Sequence, residues 1–118
     1  MSLEIATKIA RANPADPWRL GAVVRKGGRV LAVGWNVDKN VPENVEMDWA
    51  ACSIHAEVSA LKQVSDPAGS IVYVARITRG GRVGMAKPCR RCRAYLTDAR
   101  VKRAVYTIDE NTFGVWKP

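Results

Sequence analysis

"LGAVVRKGGRVLAVGW" occupies residues 20–35 and contains two valine-rich runs separated by Gly27 and Gly28. Valine favours extended strands because its branched side chain packs well on a pleated surface. Paired glycines supply the positive φ angles that tight hairpin turns require. The stretch therefore predicts an antiparallel hairpin, and the rest of the fold can be worked out from it.

A helix is predicted on the N-terminal side of this hairpin. Its apolar residues recur at helical spacing, at Ile5, Ala6, Ile9 and Ala10. The stretch "ANPADP" at 12–17 ends the helix because proline cannot continue one. On the other side of the hairpin, residues 36–48 are polar and irregular, and a loop of this kind is a natural place for ligand contacts.

The middle of the chain predicts a second helix and a further strand. The helix lies between residues 48 and 64, with Ser53 or Asp48 as its N-cap. The run "SIVYVARI" at 70–77 is rich in β-branched residues and reads as a strand. A basic, glycine-rich loop follows at 79–84.

The last third of the chain completes the sheet. Pro88 can open a third helix at its first turn, with one face formed by Cys89, Cys92, Leu96 and Ala99. A strand follows at 103–108, and too few residues then remain for a crossover helix, so a final strand at 113–116 must return antiparallel. This order predicts an α/β fold with three layers, helices on both faces of a mixed sheet of about five strands.

Length and composition favour one small intracellular domain. A chain of 118 residues and 13.0 kDa is the size of a single domain, here 1–118. Glu4, Lys8 and Arg11 interrupt the N-terminal segment, so we expect neither a signal peptide nor a membrane span. Three cysteines without an export signal do not indicate a disulfide framework. We therefore expect a cytoplasmic protein.

The charge is strongly positive, with 19 Lys and Arg residues against 11 Asp and Glu, a net charge of +8. Ten basic residues and one acidic residue, Asp98, lie between Arg76 and Arg103 inclusive. Such a segment should attract phosphate groups. The alternative is a solvated basic surface that only keeps the protein soluble.

Three residues have the chemistry of metal ligands. Cys89 and Cys92 are three apart at the start of a helix, where the helix dipole favours the thiolate form that binds zinc. His55, the only histidine, also lies near a helix start and can be the third ligand. Three protein ligands leave one tetrahedral position for water, as in catalytic zinc sites. Glu57 is close enough in sequence to move the protons of that water.

Cys52 leaves a rival interpretation open. It stands three residues before His55 and, as a fourth ligand, would close the site into a structural zinc centre in a nucleic-acid-binding module without catalysis. A buried free thiol is the other role open to Cys52.

"HAE" at 55–57 and "PCRRC" at 88–92 resemble the two zinc motifs of the cytidine deaminase superfamily. The resemblance implies that His55, Cys89 and Cys92 bind Zn²⁺ and that Glu57 is the catalytic acid and base. It implies hydrolytic deamination of cytosine to uracil with release of ammonia.

The resemblance extends to the hairpin at 21–36 and implies a set of substrate contacts. Asn36 occupies the position from which relatives touch the sugar or base, and Asp38 resembles an acidic residue that helps to hold the ribose. Ala56, inside the first motif, is also expected at the substrate. The candidate phosphate contacts are Arg79, Arg82, Arg90 and Arg91.

The sequence leaves the size of the substrate open. Arg93, directly after the second cysteine, resembles the free-nucleoside deaminases, whereas His55 and the basic segment are more like the deoxycytidylate enzymes. The expected partner is thus a small pyrimidine nucleoside or nucleotide. Single-stranded nucleic acid is the alternative, and Trp35, Trp49 and Trp116 could stack on its bases if they are exposed. Placement of these tryptophans in the core is the more common arrangement. Relatives commonly form oligomers, so a homo-oligomer is expected.

Overall fold

The computed structural model describes residues 2–13, 19–38 and 53–118. Its helices are α1 (Ser2–Ala12), α2 (Ala56–Leu61) and α3 (Arg90–Asp98). Its longer strands are β1 (Arg19–Lys26), β2 (Arg29–Trp35), β5 (Ile71–Ile77), β7 (Arg103–Thr107) and β8 (Phe113–Trp116). Two-residue strands complete the set: β3 (Val37–Asp38), β4 (Ser53–Ile54) and β6 (Val83–Gly84).

The main sheet is mixed, as predicted. Its strand order is β2-β1-β5-β7-β8, and β6 pairs with the end of β5. β5 and β7 run parallel, while β8 returns antiparallel to β7. The prediction of a short antiparallel last strand is therefore confirmed. This arrangement brings the end of β5 and the end of β7 to the same edge of the sheet.

The hairpin at the start of the sheet is also confirmed. β1 pairs antiparallel with β2 from Lys26↔Arg29 to Gly21↔Trp35. Gly27 and Gly28 form the turn with φ angles of 62° and 108°. Both values lie where a side chain would be strained, which is why glycines occupy the turn.

Helices cover both faces of the sheet. Val23 of β1 packs with Ala6 of α1 on one face. Its neighbours Ala22 and Val24 point to the opposite face, into a core that includes Ala60 of α2 and Leu96 of α3. Alternate side chains of one strand thus enter two cores, and the predicted three-layer α/β/α sandwich is confirmed. No helix of the described ranges is long and apolar enough to cross a membrane.

The two helices expected to carry the site begin later than predicted. α2 starts at Ala56 with His55 as its N-cap, whereas Ser53 lies in β4, so the prediction of Ser53 as the cap is wrong. The reason is that Ser53 and Ile54 are held extended by pairing with β3. Asp48, the other proposed cap, lies outside the described residues.

α3 begins at Arg90, not at the predicted Pro88. Pro88 is fully buried on the approach to the helix, and Cys89 keeps the extended dihedrals of an N-cap. Cys89 is therefore the cap of this helix. Cys92 and Leu96 lie on its buried face, as expected.

Two short strand pairings were not predicted. Part of the basic loop, Val83–Gly84, pairs with β5 as β6. Val37–Asp38, predicted as loop, pairs with Ser53–Ile54. Trp35 is exposed, as stacking on bases would require, but Trp116 is only partly exposed because it packs against the core. Trp49 lies outside the described residues.

Candidate active site

The N-terminus of α2 places His55 at the edge of the sheet. His55 has φ −70° and ψ 153°, and its carbonyl accepts the first helical hydrogen bond, from the Ser59 N–H at 2.9 Å. Its side chain makes no capping hydrogen bond to the helix. The imidazole Nδ1 instead contacts the Sγ of Cys92 at 3.1 Å and that of Cys89 at 3.5 Å.

The N-terminus of α3 supplies the two sulfurs. Cys89 is the N-cap, and its carbonyl accepts from the Arg93 N–H at 2.8 Å. Cys92 lies in the first turn and is 1% exposed. The Arg93 guanidinium donates from Nη1 to the Pro88 carbonyl at 3.1 Å, which ties the segment before the helix to its first turn. Both thiols therefore have defined positions.

One imidazole nitrogen and two sulfurs form a compact donor set. The ligand atoms of His55, Cys89 and Cys92 all lie within 4.8 Å of one another. Imidazole and thiolate are the ligand types that zinc prefers, so the donor set fits this metal. Burial lowers the pKa of His55, which keeps its ring neutral, the form that binds metals.

Without a metal, the Cys92 thiol stays protonated. Burial, followed by the nearby negative charges of Glu57 and Cys89, raises the pKa of Cys92 far above its ordinary value. A divalent cation at this point would reverse that effect, because a coordinated thiol is deprotonated outright. Cys89, Cys92 and Glu57 can each carry a negative charge, and their proximity disfavours ionisation of Cys92. A bound cation would offset this repulsion, so the arrangement favours a metal site.

Glu57 lies beside the donor set, one residue into α2. Its side chain is 2% exposed, and burial raises its pKa to about 7. A hydrogen bond to Cys92 partly opposes this rise in the Glu57 pKa. Its Oε1 atom is buried without a hydrogen-bond partner in the part of the chain that the structure describes. A buried carboxyl group with a pKa near 7 and one oxygen without a hydrogen-bond partner among the described residues can take up and release protons near neutral pH.

Asn36 lies at the same edge of the sheet, at the end of β2. Val37 pairs with Ile54 and Asp38 with Ser53, so the next position of this register aligns Asn36 with His55. Asn36 is buried, and its Oδ1 accepts from Asn13 Nδ2 at 2.6 Å and from the Leu20 N–H at 2.9 Å. The extended register thus places the backbone of Asn36 opposite that of His55.

Two other predicted substrate contacts are only partly described. Ala56 is fully buried as the first residue of α2, between His55 and Glu57. Asp38 belongs to β3 through its backbone, whereas its side chain lies outside what the structure describes.

The structure separates the four arginines into two groups. Arg90 and Arg91 are exposed in the first turn of α3, directly after Cys89. Arg79 and Arg82 belong to a turn at 78–82 whose contacts run to α1 and β1. Arg11 Nη1 donates to the Gly81 carbonyl at 2.9 Å, and Arg19 Nη2 to the Thr78 carbonyl at 3.2 Å. The first group thus lies beside the donor set, and the second belongs to a basic turn.

One residue that contacts a candidate site residue was not predicted from the sequence. Asn13 directly follows α1 and reaches Asn36 across 23 positions of the chain. An asparagine at the end of a helix ordinarily reads as a C-terminal cap, so no local signal marks it. The alignment of Asn36 with His55 was missed for a similar reason, since it depends on two strands of only two residues each.

A histidine and two cysteines at two helix N-termini, with a buried carboxyl group beside them, match the ligand and acid–base pattern of zinc-dependent nucleobase deaminases. The family model described as the cytidine and deoxycytidylate deaminase zinc-binding region matches residues 1–108. The chain therefore belongs to the cytidine and deoxycytidylate deaminase family. Among curated proteins, none matches the sequence significantly.

Solved structures share this fold at low sequence identity. The dCMP deaminase of cyanophage S-TIM5 superposes with a TM-score of 0.68 at 22% identity, over 93% of this chain and 82% of that one. Cytidine deaminase from Mycobacterium tuberculosis gives 0.59 at 24% identity, over 91% and 81% of the two chains. RibD from Acinetobacter baumannii gives 0.61 at 22% identity, over 91% of this chain but 27% of that one.

Proposed function

We propose that this protein is a zinc-dependent deaminase that hydrolyses the exocyclic amine of cytosine in a nucleoside or nucleotide, giving the uracil product and ammonia. One observation carries the proposal: the donor set of His55, Cys89 and Cys92 lies against a buried Glu57 whose pKa is raised to about 7. Membership of the deaminase family supports it. We infer that residues 1–118 form one catalytic domain.

The positions of the side chains support a role for each residue of the donor set and for Glu57. His55, Cys89 and Cys92 hold the zinc ion. Zinc, when bound, supplies a nucleophile at neutral pH by lowering the pKa of water. The Glu57 carboxylate accepts a proton from the attacking water as the new C4–O bond forms. It passes that proton to ring nitrogen N3. It then takes the second proton from the oxygen now bonded to C4 and delivers it to the amine, which leaves as ammonia as the C4–N bond breaks.

The remaining site residues bind and orient the base and its sugar. Asn36 contacts the sugar or base, Ala56 contacts the base where α2 begins, and Asp38 contacts the ribose. Two of the neighbours named above are a dCMP deaminase and a cytidine deaminase, and the phage enzyme has also been solved with dCMP and dUMP. A nucleoside and a nucleotide are therefore both open as substrates.

The four arginines bear on whether the substrate carries a phosphate. Arg90 and Arg91 are exposed beside the donor set, and their planar guanidinium groups suit a phosphate. Arg79 and Arg82, on the turn packed against α1, suit an anion further from the reacting base. If a single strand is the substrate, these two would hold its backbone beside the exposed Trp35.

We also infer a cytoplasmic homo-oligomer. Cys89 and Cys92 are free thiols, and a reducing compartment keeps them able to bind metal. Both edge strands of the main sheet carry exposed apolar side chains, at Val30, Leu31, Phe113 and Val115. Covering such edges stabilises an assembly. Sedimentation equilibrium of the zinc-loaded protein tests this inference, and a monomer at all concentrations would contradict it.

The substrate is tested by ammonia release from a panel. Zinc-loaded protein is offered cytidine, deoxycytidine, CMP, dCMP and a cytosine-containing single strand under the same conditions. We expect turnover of at least one of the four small molecules, and a preference for the monophosphates if Arg90 and Arg91 bind phosphate. Turnover of the single strand alone would replace a small substrate by nucleic acid. No turnover of any of them, with zinc bound, would contradict the proposed function.

A further inference from the structure

Asn13 and Asn36 form a buried pair beside the candidate site. Asn13 follows the last residue of α1, Asn36 follows the last residue of β2, and they are 5% and 6% exposed. Asn13 Nδ2 donates to Asn36 Oδ1 at 2.6 Å and to the Leu20 carbonyl at 3.2 Å. The end of α1 and the end of β2 are thus linked by a hydrogen bond between these two side-chain amides.

The backbone of Leu20 determines the orientation of both amides. Its N–H donates at 2.9 Å to the side chain of Asn36, and because an N–H can only donate, the atom facing it must be the oxygen. Its carbonyl faces the side chain of Asn13 and can only accept, so the atom facing it must be the nitrogen. Neither amide can be flipped without placing like groups together.

This orientation limits what Asn36 can offer to a ligand. Its Oδ1 already accepts two hydrogen bonds, from Asn13 and from Leu20, which uses both lone pairs. A group that approaches this side chain therefore meets the NH₂ group. Continued by one residue, the register of β3 and β4 places the backbone of Asn36 opposite that of His55, the first residue of the donor set.

We propose that Asn13 is a positioning residue for substrate binding: it holds Asn36 so that a hydrogen-bond donor, and not an acceptor, faces the substrate. This inference rests on the proposed function and deepens it. The substrate must then carry an acceptor oxygen at this point, such as a sugar hydroxyl or the base carbonyl. Asn13 itself acts only through Asn36.

The test uses a change of one atom. Asn13→Asp keeps the shape of the side chain and replaces the donor by an oxygen, which would face Asn36 Oδ1 at 2.6 Å. Asn36 must then rotate and present a different atom. We expect KM for the preferred cytosine substrate to rise about tenfold, the loss of one hydrogen bond, while kcat changes less than about twofold. Asn13→Ser, whose hydroxyl is too short to reach, should act in the same way and serves if the aspartate variant does not fold.

A double-mutant cycle separates positioning from general structural support. If Asn13 acts through Asn36, adding Asn13→Asp to Asn36→Ala should raise KM no further. Asn111→Asp is the matched control, the same change at an exposed asparagine of the β7–β8 turn, and it should leave KM unchanged. The proposal would be overturned if the increases in KM caused by Asn13→Asp and Asn36→Ala multiplied in the double variant. An unchanged KM in Asn13→Asp would also overturn it.

A second readout does not depend on turnover. The side-chain amide signals of Asn36 in the ¹⁵N NMR spectrum should shift in Asn13→Asp and stay in place in Asn111→Asp. If the wild-type protein deaminated none of the cytosine substrates, the proposed function would be contradicted. The spectrum would still test the hydrogen bond between Asn13 and Asn36. Unchanged Asn36 signals in Asn13→Asp would refute the pairing itself.

Discussion

Glu57 lies in surroundings that favour the neutral form of a carboxyl group. It is 2% exposed, its pKa is raised to about 7 by burial, and one of its oxygens has no hydrogen-bond partner among the described residues. A group retained only for stability would not be left in this state, because a buried unpaired polar atom costs about 1–3 kcal/mol. A pKa near the working pH is what a proton shuttle needs.

The identity of the metal ligands can be tested by changing one cysteine at a time. Cys92→Ser should abolish stoichiometric zinc binding, because Cys92 is one of three donor atoms within 4.8 Å of each other. Cys52→Ala should retain zinc, since the donor set is complete without it. Zinc content after dialysis, measured by atomic emission, checks both variants. Loss of zinc in Cys52→Ala would instead support the closed structural centre.

At the scale of elements, α2 carries two site residues and depends on close packing against β2. A Cβ atom on Gly34 would lie 2.6 Å from the Ala60 nitrogen and 2.9 Å from the Ala56 carbonyl oxygen. Gly21 of β1 faces α1 in the same way, and a Cβ there would meet the Ala10 nitrogen at 2.7 Å. The two glycines thus allow helices to approach opposite faces of the hairpin.

Gly34→Ala should therefore both destabilise the protein and weaken the site. The backbone of α2 must move, and overpacking of this kind costs about 1–3 kcal/mol of unfolding free energy. His55 and Glu57 move with the helix, so zinc affinity should fall as well. Urea unfolding and zinc titration give the two quantities.

Two further glycines provide the controls for this prediction. Gly21→Ala should destabilise to a similar degree but leave zinc affinity nearly unchanged, because it displaces α1. Gly80→Ala should change neither, since the nearest atom to its Cβ is 4.0 Å away. Equal losses of zinc affinity in Gly34→Ala and Gly21→Ala would show that the effect on the site is only a consequence of lower stability.

At the scale of the whole molecule, strong local patterns predicted most of the fold. The valine runs around Gly27 and Gly28 specify their own hairpin, and the short chain after β7 leaves only an antiparallel return for β8. The start of α2 was mispredicted because β4 forms only by pairing with β3, from a distant part of the chain. Contacts of this kind leave no periodic signal in the sequence.

The site was predictable to a similar extent. His55, Glu57, Cys89 and Cys92 stand in two short motifs, and the fold only has to bring two helix ends together. Substrate contacts depend on tertiary placement, so the four arginines could be nominated only by charge. The structure divides them between α3 and the turn at 78–82, and Asn13 emerged only from its contacts.

The most direct test of the account compares Glu57→Gln with the wild-type protein at equal zinc content, following uracil formation from the preferred cytosine substrate. We predict that the variant binds zinc normally and loses about 10²–10⁴-fold in kcat, because an amide cannot shuttle protons. Glu110→Gln, the same change at an exposed glutamate that accepts the Val83 N–H at 2.8 Å, should retain full activity. Near-normal turnover by Glu57→Gln would contradict the proposed mechanism.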